Sequence, residues 1–216
     1  MHEIPAAALE RFVENCHDVA DRGLVRCSCG NLSQRVDEKY FLVTATGSWM
    51  SRLTRDQVAV CRVDNGVSIN GIKPSSETGF HAGILRTRAD VNAVLHFQTP
   101  CATTVACQRA DTADFAVIPE IPFYIGAVAR VAYFTPGSED LAAAVTQALR
   151  THDLVLLRNH GQVTAARDFE HVLQNAEFFE LACQILLLGG TSVAPLSPQA
   201  INQLQALRSK TAGRAV

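Results

Sequence analysis

Two histidines in this 216-residue chain each stand where an apolar run ends. The first closes Val94-Leu95-His96-Phe97-Gln98-Thr99-Pro100, and because residues two apart on a strand project from one face, His96 and Gln98 are expected to point together. An imidazole binds zinc and similar cations, while a glutamine offers only a neutral carbonyl oxygen. The pair is therefore readable as part of a metal site or as a hydrogen-bonded core histidine beside an ordinary glutamine. The second histidine lies in Leu156-Leu157-Arg158-Asn159-His160-Gly161, where an apolar strand runs out into a histidine and a glycine, the pattern expected where backbone turns close to a site. A histidine closing a strand end by one hydrogen bond fits the same letters.

A third group is Lys73-Pro74-Ser75-Ser76-Glu77. Two hydroxyls and free N–H groups at a helix start can cradle an anion, with a carboxylate just beyond. A plain helix N-cap accounts for Ser76 equally well. Gly30-Asn31-Leu32-Ser33 and Thr44-Ala45-Thr46-Gly47 supply two more small, donor-rich turns, which are also compatible with ordinary hairpin turns.

The elements that must position these groups follow from periodicity. Residues 6–22 repeat apolar side chains at helical spacing and stop at Gly23. Residues 40–44 and 57–63 read as strands, and Asp64-Asn65-Gly66 as a turn joining antiparallel strands. Ser76 is expected to cap a helix over residues 77–87, with Glu77 in its first turn. Residues 91–97 read as a buried strand, residues 100–107 as a short helix, and residues 128–133 as a strand beyond a proline-broken stretch. A helix from Ser138 or Glu139 to about Thr151, strands at 154–157 and 161–165, a long helix over 168–188 and a last helix over 199–207 complete the pattern. Strands joined by tight turns and interspersed with helices predict an α/β layered sandwich on a central mixed, largely antiparallel sheet flanked by helices. One domain over residues 1–216 is expected.

Composition narrows the classes. The 19 basic and 21 acidic residues leave a formal charge of −2 with no basic stripe, so nucleic acid is a poor partner. Met1 to Ala20 lacks the layout of a secretory signal, no apolar run approaches membrane-spanning length, and a cytoplasmic location is expected. The seven cysteines read as small buried hydrophobic residues and not as disulfides; Cys27-Ser28-Cys29 lacks a second pair for a metal or redox site.

In this order and spacing, the early helix, Gly30-Asn31-Leu32-Ser33, Thr46-Gly47, Lys73-Pro74-Ser75-Ser76-Glu77, the strand ending in His96, and Leu157-Arg158-Asn159-His160-Gly161 resemble the class II aldolase/adducin family over nearly the whole chain. The resemblance implies a divalent metal, zinc foremost, held by His96 and His160. Glu77 would either coordinate the resting metal or swing away as general acid/base. Gly30, Asn31, Thr46, Gly47, Ser75 and Ser76 would hold a substrate phosphate. It also implies a homotetramer with sites at subunit boundaries. The expected reaction is aldolase-type C–C cleavage through a metal-stabilised enediolate on a small sugar-phosphate or related carbonyl compound. Decarboxylase, epimerase or dehydratase chemistry on the same site is the alternative, and an adducin-like scaffold the alternative of another class. Two departures matter. Gln98 stands where the family motif has a third histidine, which opens the site to manganese, cobalt or magnesium and makes Gln98 a candidate ligand. Tyr124, near Pro122-Phe123, is the candidate for the proton donor that these aldolases extend into a neighbouring subunit's site, while the tail 208–216 carries no tyrosine.

Overall fold

The computed structural model describes residues 4–109 and 112–212. Its helices are α1 (Ala6–Asp21), α2 (Thr78–Thr87), α3 (Pro100–Ala106), α4 (Glu139–Ala148), α5 (Phe169–Gly189) and α6 (Pro198–Ala212). The strands β1 (Asn31–Arg35), β2 (Tyr40–Thr44), β3 (Val58–Arg62), β4 (Ala93–Phe97), β5 (Ala129–Val131), β6 (Leu154–Leu157) and β7 (Gly161–Ala166) form one sheet in the order β3-β2-β1-β4-β7-β6-β5. Among the described residues, only the β5–β6 pair is parallel. The expected mixed, largely antiparallel sheet flanked by helices is what forms.

Period-two alternation sorts the side chains onto two faces. Leu95 and Phe97 of β4 join Leu32, Leu42 and Leu156 under α1, α3 and α5, whereas Val94 joins Val43, Val155 and Val163 under α2 and α4. Each fully buried Leu or Phe contributes about 1.5–3 kcal/mol. The apolar layers therefore carry the stability, and polar groups buried among them need another reason to be there.

Element ends follow local chemistry. Phe12, Cys16 and Val19 form the buried stripe of α1, and the helix stops at Gly23 (φ 73°), where Gly23 N–H bonds Ala20 O and Leu24 N–H bonds Val19 O. Ser138 Oγ accepts from Leu141 N–H to start α4, and Asp168 accepts from His171 N–H to start α5.

Several expectations need correction. Asn31–Ser33 is no turn: the segment lies within β1, paired with β2 and β4, and only Gly30 turns. Its inward-facing Asn31 and Ser33 are buried polar residues, so the apolar alternation that marks a strand was missing. Ser76 does not cap α2. Glu77 occupies the N-cap position, with its N–H donated to Ser75 Oγ, so the carboxylate precedes the first turn. The Asp64-Asn65-Gly66 turn folds back onto β3 through a single bridge, Cys61 to Ser68, and not through a second strand. The proline-broken stretch holds a π-helical turn at Ile121–Ile125 ending at Gly126 (φ 81°). Of the cysteines, Cys16, Cys61 and Cys183 are buried, but Cys27, Cys29 and Cys107 are exposed; all seven are free thiols.

Candidate metal centre

β1, β4 and α2 meet at one end of the sheet. Asn31 lies directly opposite His96 in the β1–β4 ladder, so both side chains project from the face that carries α2. There they meet Glu77, at the start of that helix. His160 arrives from the β6–β7 hairpin, whose tight turn holds Asn159 at φ 53°, a conformation asparagine tolerates. Gly161 lets the start of β7 lie close against the end of β4: an added Cβ would sit 2.7 Å from Phe97 O and from Gln98 Cγ, and 3.1 Å from His96 Cε1.

The result is a cluster of Glu77, His96 and His160 whose ligand atoms lie within 4.8 Å of one another. His96 Nε2 is 3.4 Å from Glu77 Oε2, and His160 Nε2 is 3.5 Å from Glu77 Oε1. His96 Nδ1 is 2.9 Å from Gln162 O, an atom that only accepts, so Nδ1 donates there and Nε2 is the nitrogen turned towards the carboxylate. Asn31 Nδ2 donates to Glu77 Oε2 at 2.8 Å, whereas Glu77 Oε1 and His160 Nδ1 are buried without a hydrogen-bond partner. Burial pushes the His160 imidazole down to about 4, with His96 adding to the effect and Glu77 opposing it. A buried carboxylate facing two imidazole nitrogens, with one of its oxygens unpaired, is an arrangement that a shared cation would satisfy. The donor set fits a divalent metal.

These groups open on a cavity of about 300 Å³. All six residues expected to hold phosphate (Gly30, Asn31, Thr46, Gly47, Ser75 and Ser76) line it, and so does Gln98. The donors are more restricted than expected, because Thr46 N–H and Ser75 N–H are spent on Lys73 O and Thr44 O, leaving these residues their hydroxyl hydrogens. Gly30 sits at φ 76°, and a Cβ there would meet Val25 Cγ1 at 2.5 Å and His96 O at 2.7 Å. Gly30→Ala is expected to destabilise the fold by about 3 kcal/mol and lower Tm by roughly 6–12 °C in a thermal melt. An unchanged melting temperature would show that the backbone there relaxes freely.

Tyr124 does not line this cavity. It is exposed on the π-helical turn, stacked on Phe178 with ring centroids 5.3 Å apart. A second hollow, about 360 Å³ around Phe115 and Arg130, shares no lining residue with the first and, among the described residues, gathers no comparable cluster. Sequence reasoning passed over His81. It follows Glu77 by four residues, and that spacing on a helix was the available signal that the two share a face.

His81 is fully buried and its imidazole is pushed down to about 3, by burial first and then by His96. In the unfolded chain both His81 and His160 titrate near 6.5, so below that pH the unfolded state binds protons that the metal-free fold does not. Stability should therefore fall as pH drops from about 6.5 towards 4, with a slope of up to ~1.4 kcal/mol per pH unit for each histidine. Denaturant melts of chelator-treated protein from pH 7.5 to 4.5 measure this; a flat profile would mean that both rings accept protons in place.

Comparison with known proteins assigns this architecture. The family described as Class II Aldolase and Adducin N-terminal domain matches residues 10–187. The chain belongs to that family. Among class II aldolase relatives, the 3-oxo-tetronate 4-phosphate decarboxylase of Haemophilus influenzae is 28% identical over 203 residues, spanning 92% of this chain and 96% of the relative. The L-fuculose phosphate aldolase of Methanocaldococcus jannaschii is 31% identical, spanning 83% and 95%. The crystal structure of YgbL from Escherichia coli superposes with a TM-score of 0.86 at 25% identity, covering 92% of this chain and 98% of that one. These class II aldolase relatives carry the names of enzymes of both C–C-cleaving kinds, aldolase and decarboxylase. Among the described residues, no helix is long and apolar enough to cross a membrane.

Proposed function

We propose that this chain is a metal-dependent lyase that breaks a C–C bond beside a carbonyl or hydroxyl group of a small phosphorylated sugar derivative. The observation that carries this reading is the convergence of Glu77, His96 and His160, with Glu77 Oε1 left unpartnered, on a cavity edged by small hydroxyl-bearing residues. His96, His160 and Glu77 would hold the cation, and Gln98 offers a neutral amide oxygen from the same cavity wall. A donor set with oxygen in place of a third imidazole is harder, which supports manganese, cobalt or magnesium beside zinc. A divalent cation held there supplies Lewis-acid stabilisation of the negative charge that develops as the bond breaks.

The remaining work falls to this chain's own groups. Glu77 Oε2 is tied to Asn31, so Oε1 is the atom that would face the cation at rest and, released from it, take up or deliver the proton. Ser75 Oγ accepts from Glu77 N–H, and its own hydrogen stays available for an anionic oxygen, alongside the hydroxyls of Thr46 and Ser76. Gly47, at positive φ with open space where a Cβ would stand, keeps its part of the cavity wall free of a side chain so that a phosphate can approach backbone, while Gly30 lets the chain turn tightly against Val25 and His96. Tyr124, exposed and away from its own cavity, is assigned to the cavity of a neighbouring copy in a homotetramer.

Decarboxylation is the second reading, favoured by the relative from Haemophilus influenzae, which matches 92% of this chain. The two readings share the site and differ in the fragment that leaves. Metal-loaded protein should be assayed with L-fuculose 1-phosphate for released aldehyde and with 3-oxo-tetronate 4-phosphate for released carbon dioxide. Turnover of one, with the unphosphorylated counterpart much poorer, is expected. Loss of neither substrate from fully metal-loaded protein would contradict the reading and favour a scaffold role.

A further inference from the structure

We propose that His81 is a positioning residue which, through Asn31, decides which oxygen of Glu77 is tied down and which is left for chemistry. This inference rests on the reading above, that Glu77 shares a cation with His96 and His160. Its geometry is a continuous chain of buried hydrogen bonds: Ser33 Oγ to His81 Nδ1 at 2.7 Å, His81 Nε2 to Asn31 Oδ1 at 2.6 Å, and Asn31 Nδ2 to Glu77 Oε2 at 2.8 Å.

The carboxylate at one end sets the direction of every bond. Glu77 Oε2 only accepts, so the Asn31 amide must turn its nitrogen towards it and its oxygen away. That oxygen also only accepts, so His81 Nε2 must carry the ring proton. His81 Nδ1 is then a lone pair and takes the hydroxyl hydrogen of Ser33. His81 is fully buried and both ring nitrogens are occupied, which agrees with an imidazole held neutral.

The fold builds this chain deliberately into one layer. Asn31 and Ser33 project from the same face of β1, and His81 lies one turn along α2 from Glu77. Without the Nε2 proton, the Asn31 amide is held from the Glu77 side alone and its oxygen is left buried without a donor. The carboxylate would then keep a looser anchor, and Oε1 would be less firmly set towards His160. Groups that orient a ligand from behind typically alter metal affinity about 10–100-fold when removed.

The test uses Co²⁺ titrated into chelator-treated full-length protein, read by its visible absorption, with thermal melts of each variant. His81→Leu keeps the bulk and loses the donor; it should weaken Co²⁺ binding about 10–100-fold. His81→Gln, whose amide nitrogen can take the place of ring Nε2, should recover most of that loss, which a purely space-filling role would not predict. Ser33→Ala gives a milder version, several-fold weaker, should His81→Leu fail to fold. Long-range ¹H–¹⁵N spectra of the metal-free wild type should show His81 as the Nε2–H tautomer. Co²⁺ binding unchanged in His81→Leu, no recovery in His81→Gln, or an Nδ1–H tautomer would overturn the proposal. A wild type that takes up no Co²⁺ would instead sink the metal reading, and the tautomer alone would then decide whether the chain of bonds exists.

Discussion

Glu77→Gln is expected to lower kcat by about 10²–10⁴-fold on whichever substrate is accepted, while the protein melts within a few degrees of the wild type. The reasoning is local. Glutamine has the same length, its amide oxygen can still accept from Asn31 Nδ2, and the N-cap position needs only the backbone geometry that Ser75 already supports. What disappears is the charge and basicity of Oε1, the oxygen without a partner. Burial of a carboxylate with one oxygen unpaired costs stability, so the variant is expected to gain slightly in the metal-free state. Steady-state kinetics at saturating metal separate this from weakened metal binding. Turnover at the wild-type rate would remove Glu77 from proton transfer.

His160→Ala carries the second large effect, on metal affinity. If the roughly 10–16 kcal/mol of a four-ligand zinc site is shared evenly, one imidazole accounts for about 2.5–4 kcal/mol, or ~10²–10³-fold in Kd. The substitution falls in the β6–β7 hairpin, whose shape depends on Asn159 and Gly161 and not on the histidine ring. The ring itself contributes no hydrogen bond through its buried Nδ1, so removing it costs the fold little. Wild-type protein should also gain about 2.7 kcal/mol of stability when free metal is a hundredfold above Kd, and His160→Ala should lose most of that gain.

Much of this was legible in the letters because the physics was local. The Phe12, Cys16 and Val19 stripe with Gly23 behind it marks a helix and its stop without any tertiary information. The apolar runs ending in His96 and before His160 mark strand ends, and they do converge. β1 escaped because its core-facing positions, Asn31 and Ser33, serve a buried hydrogen-bond chain, so function broke the alternation that betrays a strand. Glu77 was placed a residue too far into α2 because Ser75 and Ser76 are equally good caps on paper, and only the fold shows which hydroxyl meets which N–H. The role of His81 needed the third dimension: spacing puts it near Glu77, but only the packing of β1 against α2 inserts Asn31 between them. The turn at Ile121–Ile125 has no repeating pattern to read, its prolines signalling only where regular structure stops.

A single titration reaches the central claim, that Glu77, His96 and His160 share one cation. Calorimetric titration of Zn²⁺ and, separately, Mn²⁺ into chelator-treated protein should give one ion per chain for the wild type with at least one of the two metals, and binding weakened by two to three orders of magnitude in His160→Ala, as estimated above at ~10²–10³-fold. A wild type that binds neither metal stoichiometrically, or a His160→Ala protein that binds as tightly as its parent, would contradict the account.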